Sequence, residues 1–109
     1  MKHLLLIILG AFLAASVQAK GDAARGKQKA AQVCAACHSA DGTKPSAPDQ
    51  PVLAGQYYDY IVQALTDYKS GRRNNAIMKG FASGLSKQDI EDVAAWFASQ
   101  PTTPLHDQR

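Results

Sequence analysis

The chain has 109 residues, 46% of them hydrophobic, with 12 Lys and Arg against 9 Asp and Glu for a formal net charge of +3. That length leaves room for one modest domain, and a near-balanced charge with no long basic stripe excludes nucleic acid as a partner. Two cysteines are too few for a disulfide scaffold, so the fold needs some other source of stability.

Residues 1–19 read as a secretory signal peptide. Lys2 and His3 form a short polar start, Leu4 to Val17 is mostly apolar, and Val17-Gln18-Ala19 carries small residues at the first and third places of a cleavage site. The apolar run is too short and too alanine-rich at its end for a comfortable membrane span, although an uncleaved anchor is the alternative. Cleavage after Ala19 leaves 20–109 as the working domain, exported to the periplasm, with no membrane span in the mature chain. Losing Lys2 takes the basic count from 12 to 11 against 9 acidic residues.

A first helix is expected from about Asp22 to Cys34. Gly21-Asp22 supplies an N-cap, and Ala23, Ala24, Ala30 and Ala31 favour the helix. Gly26 costs helix stability, so it marks either close approach of another helix or a tolerated surface glycine.

Next comes Cys34-Ala35-Ala36-Cys37-His38, a C-x-x-C-H attachment sequence for c-type haem. Two thiols add to the two porphyrin vinyl groups, and at this spacing both face one way on a helical turn. His38, four residues after Cys34, reaches the iron from the same side. A redox-active C-x-x-C of a thioredoxin-like fold and half of a zinc site share part of this pattern. In an oxidising compartment a disulfide across so small a loop adds little. A covalently held apolar cofactor instead fills the middle of a small domain.

Residues 39–54 are expected to form a loop, since Asp41-Gly42, Pro45, Pro48 and Pro51 are turn and breaker signals. A domain this small seldom spends that much chain without structure unless it covers something, here one edge of the haem. The following helix is predicted over about Gly55 to Lys69, with Tyr57, Ile61, Ala64, Leu65 and Tyr68 on one apolar stripe. The tyrosines read as core and haem-wall residues.

Gly71-Arg72-Arg73-Asn74-Asn75 and Gly80 to Gly84 mark loop rather than helix, so Met78 is expected on a loop between two packed helices. Haem iron held by His38 has a second axial position, and the chain after residue 19 keeps one methionine, Met78, and two histidines, His38 and His106. A thioether ligand therefore has to be Met78, although gap-filling in the core is the commoner role of methionine. His106, beyond Pro101 and Pro104, reads as a solvated tail residue. Ser86-Lys87-Gln88-Asp89 approximates a capping box and opens a last helix, with Ile90, Val93, Ala94 and Phe97 at helical spacing and Trp96 beside them. Pro101 ends it.

No stretch alternates as a strand does, which counts against a thioredoxin-like fold. The expected class is all-α, about three to five helices packed around one covalently bound haem.

At this point the chain resembles the class I c-type cytochromes. It is most similar to the short bacterial kind, single-haem c-553 types and single domains of the dihaem cytochrome c4 family, over essentially all of 20–99. Cys34-Ala35-Ala36-Cys37-His38-Ser39-Ala40-Asp41-Gly42, Pro51-Val52-Leu53-Ala54-Gly55-Gln56 and Lys69-Ser70-Gly71-Arg72-Arg73-Asn74-Asn75-Ala76-Ile77-Met78 carry the resemblance, with Trp96-Phe97 in the last helix. It implies thioethers at Cys34 and Cys37, His38 as proximal ligand and Met78 as distal ligand. It also implies a Pro51 carbonyl accepting the His38 ring N–H, Leu53 packed on the haem, and Gly26 where the first and last helices cross. Val52 departs from the pattern, standing where many relatives are polar. A second C-x-x-C-H is missing, so the chain carries one haem c.

The expected function is that of a soluble periplasmic monohaem cytochrome that shuttles single electrons between respiratory-chain or dehydrogenase partners, with no enzymatic step of its own. A haem subunit bound permanently to a redox enzyme would share these features. From Lys69 to Lys87 the chain has five basic residues, Lys69, Arg72, Arg73, Lys79 and Lys87, and no acidic one. They form either a basic collar for an acidic redox partner or an ordinary solvated loop.

Overall fold

The computed structural model describes Gly10 and residues 21–101, so the rest of the expected signal peptide, Met1 and Ala19 included, and residues 102–109, with His106, lie outside the described part. Five helices follow in order: α1 (Ala23–Val33), α2 (Ala35–His38), α3 (Tyr58–Ser70), α4 (Ala76–Ser83) and α5 (Lys87–Ala98). No strand occurs among the described residues, in keeping with the all-α expectation.

The caps fall where local chemistry dictates. Asp22 accepts the Arg25 N–H at the start of α1. At α5, Ser86 and Asp89 form a reciprocal capping box, each side chain accepting from the other's backbone N–H. Gly71 closes α3 in the left-handed conformation at φ 82°, which a side chain would resist.

Helices α1 and α5 cross so closely that no Cβ fits between them. One added at Gly26 would stand 1.9 Å from the Asp92 carbonyl oxygen, and one at Gly21 would stand 2.0 Å from that of Glu91. The close-approach reading of Gly26 therefore holds, and Gly21 joins it. Ala30, Ile61, Leu65, Leu85, Ile90, Val93, Ala94 and Phe97 form the buried core, contributed mainly by α1, α3 and α5.

Two expectations are corrected. Tyr57 is the N-cap of α3 and is 81% exposed, so it leaves the apolar stripe to Ile61, Ala64, Leu65 and Tyr68. Residues 76–83, expected as loop, are helical. Asn75 caps that helix by accepting the Met78 N–H at 3.0 Å, and α4 packs on α3.

Candidate haem-binding site

A cavity of about 1240 Å³ opens between α3, α4 and the 43–53 loop. It exceeds the ~300–1,000 Å³ usual for small-ligand pockets, so it suits a large planar group. Cys34, Cys37, His38, Pro51, Leu53 and Met78 all line it.

The attachment turn follows from how α1 ends. Cys34 keeps a right-handed helical backbone, and the His38 N–H donates to the Cys34 carbonyl at 3.0 Å, so α2 is a single turn. Both thiols are unpaired. Burial pushes the Cys34 thiol up to about 11, because a thiolate there would lose its hydration. A redox-active C-x-x-C needs the opposite shift, which weighs against that alternative. Among the described residues no cluster of three or more His, Cys, Asp or Glu is placed to hold a metal, which weighs against a zinc site.

His38 is buried, and its Nδ1 lies 2.9 Å from the Pro51 carbonyl oxygen. With Nδ1–H donating there, Nε2 retains its lone pair as a ligand. What positions Pro51 is a glycine the sequence marked only as a turn. Gly42 sits at φ 75°, and its carbonyl accepts the N–H groups of Leu53 at 2.9 Å and Ala54 at 3.2 Å. Its bare Cα tucks under α5, where a Cβ would meet Phe97 Cδ1 at 2.8 Å and Ala54 N at 2.9 Å. The Gly55 N–H donates to the Phe97 carbonyl at 2.9 Å, so the loop is pinned to the core at both its turn and its end.

Met78 comes from a separate wall, in the first turn of α4, and is half-buried against the core. A rigid helix carries it rather than a swinging loop. Val93 and Phe97 of α5 and Ile61 and Leu65 of α3 supply an apolar floor. Two unpaired thiols, an imidazole with one nitrogen engaged and a thioether over an apolar floor are groups that could hold a covalently attached haem.

The basic residues do not behave alike. Lys69 Nζ donates to the Leu85 carbonyl, and Arg72 lies 4.0 Å from Asp67 Oδ1. Arg73 stacks on Tyr68 and lines the cavity, a placement that sequence spacing did not signal.

Comparison with known proteins agrees with this geometry. The family model for cytochrome c matches residues 23–101. Cytochrome c4 of Pseudomonas aeruginosa is 50% identical over 96 residues, covering 88% of this chain and 46% of that protein. Cytochrome c-554(548) of Halomonas halodenitrificans is 43% identical over 83 residues, covering 73% of this chain and 98% of its own length. The crystal structure of reduced recombinant cytochrome c4 from Pseudomonas stutzeri superposes with a TM-score of 0.68 at 43% identity, covering 74% of this chain and 46% of that one. The chain thus spans about half the length of the cytochrome c4 relatives it matches.

Proposed function

Because the chain belongs to the cytochrome c family, we propose that it binds one haem c and carries single electrons between protein partners in the periplasm. Residues 20–109 are the working domain in this reading, and 1–19 the export signal. The observation that carries it is the convergence of Cys34, Cys37, His38 and Met78 on one large cavity, with His38 Nδ1 2.9 Å from the Pro51 carbonyl. Bound haem supplies a ferric/ferrous couple; the chain supplies its environment.

Cys34 and Cys37 tether the porphyrin edge through thioethers. His38 offers Nε2 to the iron, and the Pro51 carbonyl fixes the ring and strengthens it as a ligand. Met78 would offer a neutral thioether to the iron, a ligand that favours the reduced state and raises the potential relative to two imidazoles. Phe97, Val93 and Leu65 exclude water. No substrate bond is made or broken, so no general acid or base is needed.

Lys69, Arg72, Arg73, Lys79 and Lys87 form the proposed docking collar for an acidic partner surface. Its backbone-tied Lys69 contributes less outward charge than the rest. Transfer rates to the partner should fall as salt rises, and rates indifferent to salt would remove the collar.

The test of the whole reading is a paired oxidised and reduced absorption spectrum of the mature protein made in a host that attaches c-type haem. A low-spin spectrum with the weak far-red sulfur-to-ferric-iron band, lost on Met78→Ala, is expected. A high-spin spectrum that shifts on adding cyanide or carbon monoxide would replace the carrier by a protein with open iron.

A further inference from the structure

The loop that presents Pro51 to His38 has few donors for backbone bonding of its own. Three of the seven residues 45–51 are prolines, Pro45, Pro48 and Pro51, and a proline has no N–H to give. A side chain gathers what remains. The N–H groups of Ser46 and Ala47 both donate to Gln50 Oε1 at 3.0 Å, and the Ser46 hydroxyl donates to the same oxygen at 2.8 Å. An amide oxygen has two lone pairs, so three donors saturate it. The Gln50 N–H closes the turn by donating to the Ala47 carbonyl at 3.1 Å.

The same staple reaches the attachment turn. The Ser46 N–H is shared, since it also donates to the Cys37 carbonyl at 2.9 Å. Cys37 immediately precedes His38, and Pro51 immediately follows Gln50. A closed path therefore runs from the Cys37 carbonyl through Ser46, the Gln50 side chain and the Pro51 carbonyl to His38 Nδ1. One loop grips the attachment turn at its backbone and the ligand at its ring, and Gln50 Oε1 joins the two grips. Gln50 is half-buried and lines the cavity. Gly42 pins the loop downstream of Pro51, at Leu53 and Ala54, and Gln50 pins it upstream.

We propose that Gln50 is a positioning residue, whose side-chain oxygen sets how firmly the Pro51 carbonyl holds His38 Nδ1–H and through it the reduction potential. This rests on the haem reading above. The sign follows from the ligand. A firmly held ring N–H makes the imidazole more basic, which favours ferric iron and lowers the potential. Loosening the staple therefore raises it. A glutamine that merely tidies a surface turn would move neither the potential nor the ring N–H.

The experiment is spectroelectrochemical titration of the haem-loaded protein and of Gln50→Met, Gln50→Asn and Gln50→Glu, with solvent exchange of His38 Nδ1–H followed by NMR in the reduced state. Methionine keeps the length without the acceptor; asparagine keeps the amide, but its oxygen falls one methylene short. Both should titrate at higher potential than wild type and exchange the ring N–H faster. Glutamate keeps reach and acceptor, so Gln50→Glu should retain wild-type exchange, and its charge moves the potential down rather than up. A rise in Gln50→Met without one in Gln50→Asn would trace the effect to polarity of the cavity wall and overturns the inference. Unchanged exchange in both, or fast exchange in Gln50→Glu, overturns it as well. Should the methionine and asparagine variants fail to load haem, Ser46→Ala decides, since it removes one of the three donors, and unchanged exchange there overturns the inference. Failure of the haem reading looks different, since the wild-type spectrum itself would lack covalent haem or the methionine band.

Discussion

At the residue scale the ligand set depends on groups that touch no iron. His38 is oriented by Pro51, Pro51 by the Gly42–Leu53 bond, and Gly42 by having no side chain. Gly42→Ala should be costly on two counts. A left-handed backbone is worth about 1–2 kcal/mol against a residue with a Cβ. Overlap with Phe97 and the Ala54 backbone adds about 1–3 kcal/mol, because neither neighbour has room to give. At about 4–8 °C per kcal/mol for a domain this size, the melting temperature of the haem-loaded protein should drop by roughly 10 °C or more. Thermal denaturation followed by circular dichroism measures it, and a loss of only a degree or two would mean the loop is not pinned as described. Gly26 stood out as a glycine inside an alanine-rich helix, but composition left close approach and a surface glycine both open, and the family resemblance pointed to the crossing. Gly42 did not stand out, because Asp-Gly in a loop looks like any turn, and its real constraint comes from Phe97, 55 positions away.

At the element scale α4 is the instructive case. Its eight residues include Gly80, and Gly71 and Gly84 flank it, so local propensity argues for loop. Three things override propensity: the Asn75 cap, packing on α3, and the buried Ala82. Tertiary contacts of that kind leave no periodic trace in so short a segment. Of the long helices, α3 and α5 were legible from apolar stripes of several turns, and α1 from its Asp22 cap and its alanines. Gly80 itself gains nothing from lacking a side chain, since a Cβ there would have no atom within 4 Å. Gly80→Ala should therefore stabilise the protein by about 0.5–1 kcal/mol, by restricting the unfolded chain and favouring the helix. Chemical denaturation should show a higher midpoint with an unchanged slope and an intact far-red band. A lower midpoint would mean that α4 needs a glycine for a contact made only when the site is filled.

On the scale of the whole molecule, one buried carboxylate ties the start of the fold to its end. Asp92 on α5 is 4% exposed and accepts four hydrogen bonds: from the Asp22 N–H at 2.7 Å, Arg25 Nε at 2.9 Å, Arg25 Nη2 at 3.3 Å and Gln88 Nε2 at 2.8 Å. The Arg25 guanidinium foremost, then the Asp22 N–H and Gln88, hold its carboxyl down at about 2 against an ordinary 3.8. A depressed folded-state value means that the stabilisation is full above the unfolded value near 3.8 and is lost as pH falls from there toward 2. Arg25 is 61% exposed, so solvent screening holds the effect to about 1–2 kcal/mol. Asp41 and Asp89 are also lowered and titrate in the same direction, so acid destabilisation will not belong to Asp92 alone. The informative quantity is thus a difference between proteins. Asp92→Asn should be less stable than wild type at pH 7, and that gap should close by about 1–2 kcal/mol between pH 4 and pH 2 as the wild type loses its ion pair. Release of haem ligands in acid is common to both proteins and cancels. Stability curves that run parallel from pH 5 to pH 2 would show that the α1–α5 seam is held by the glycine crossing alone, with Asp92 serving only as a hydrogen-bond acceptor.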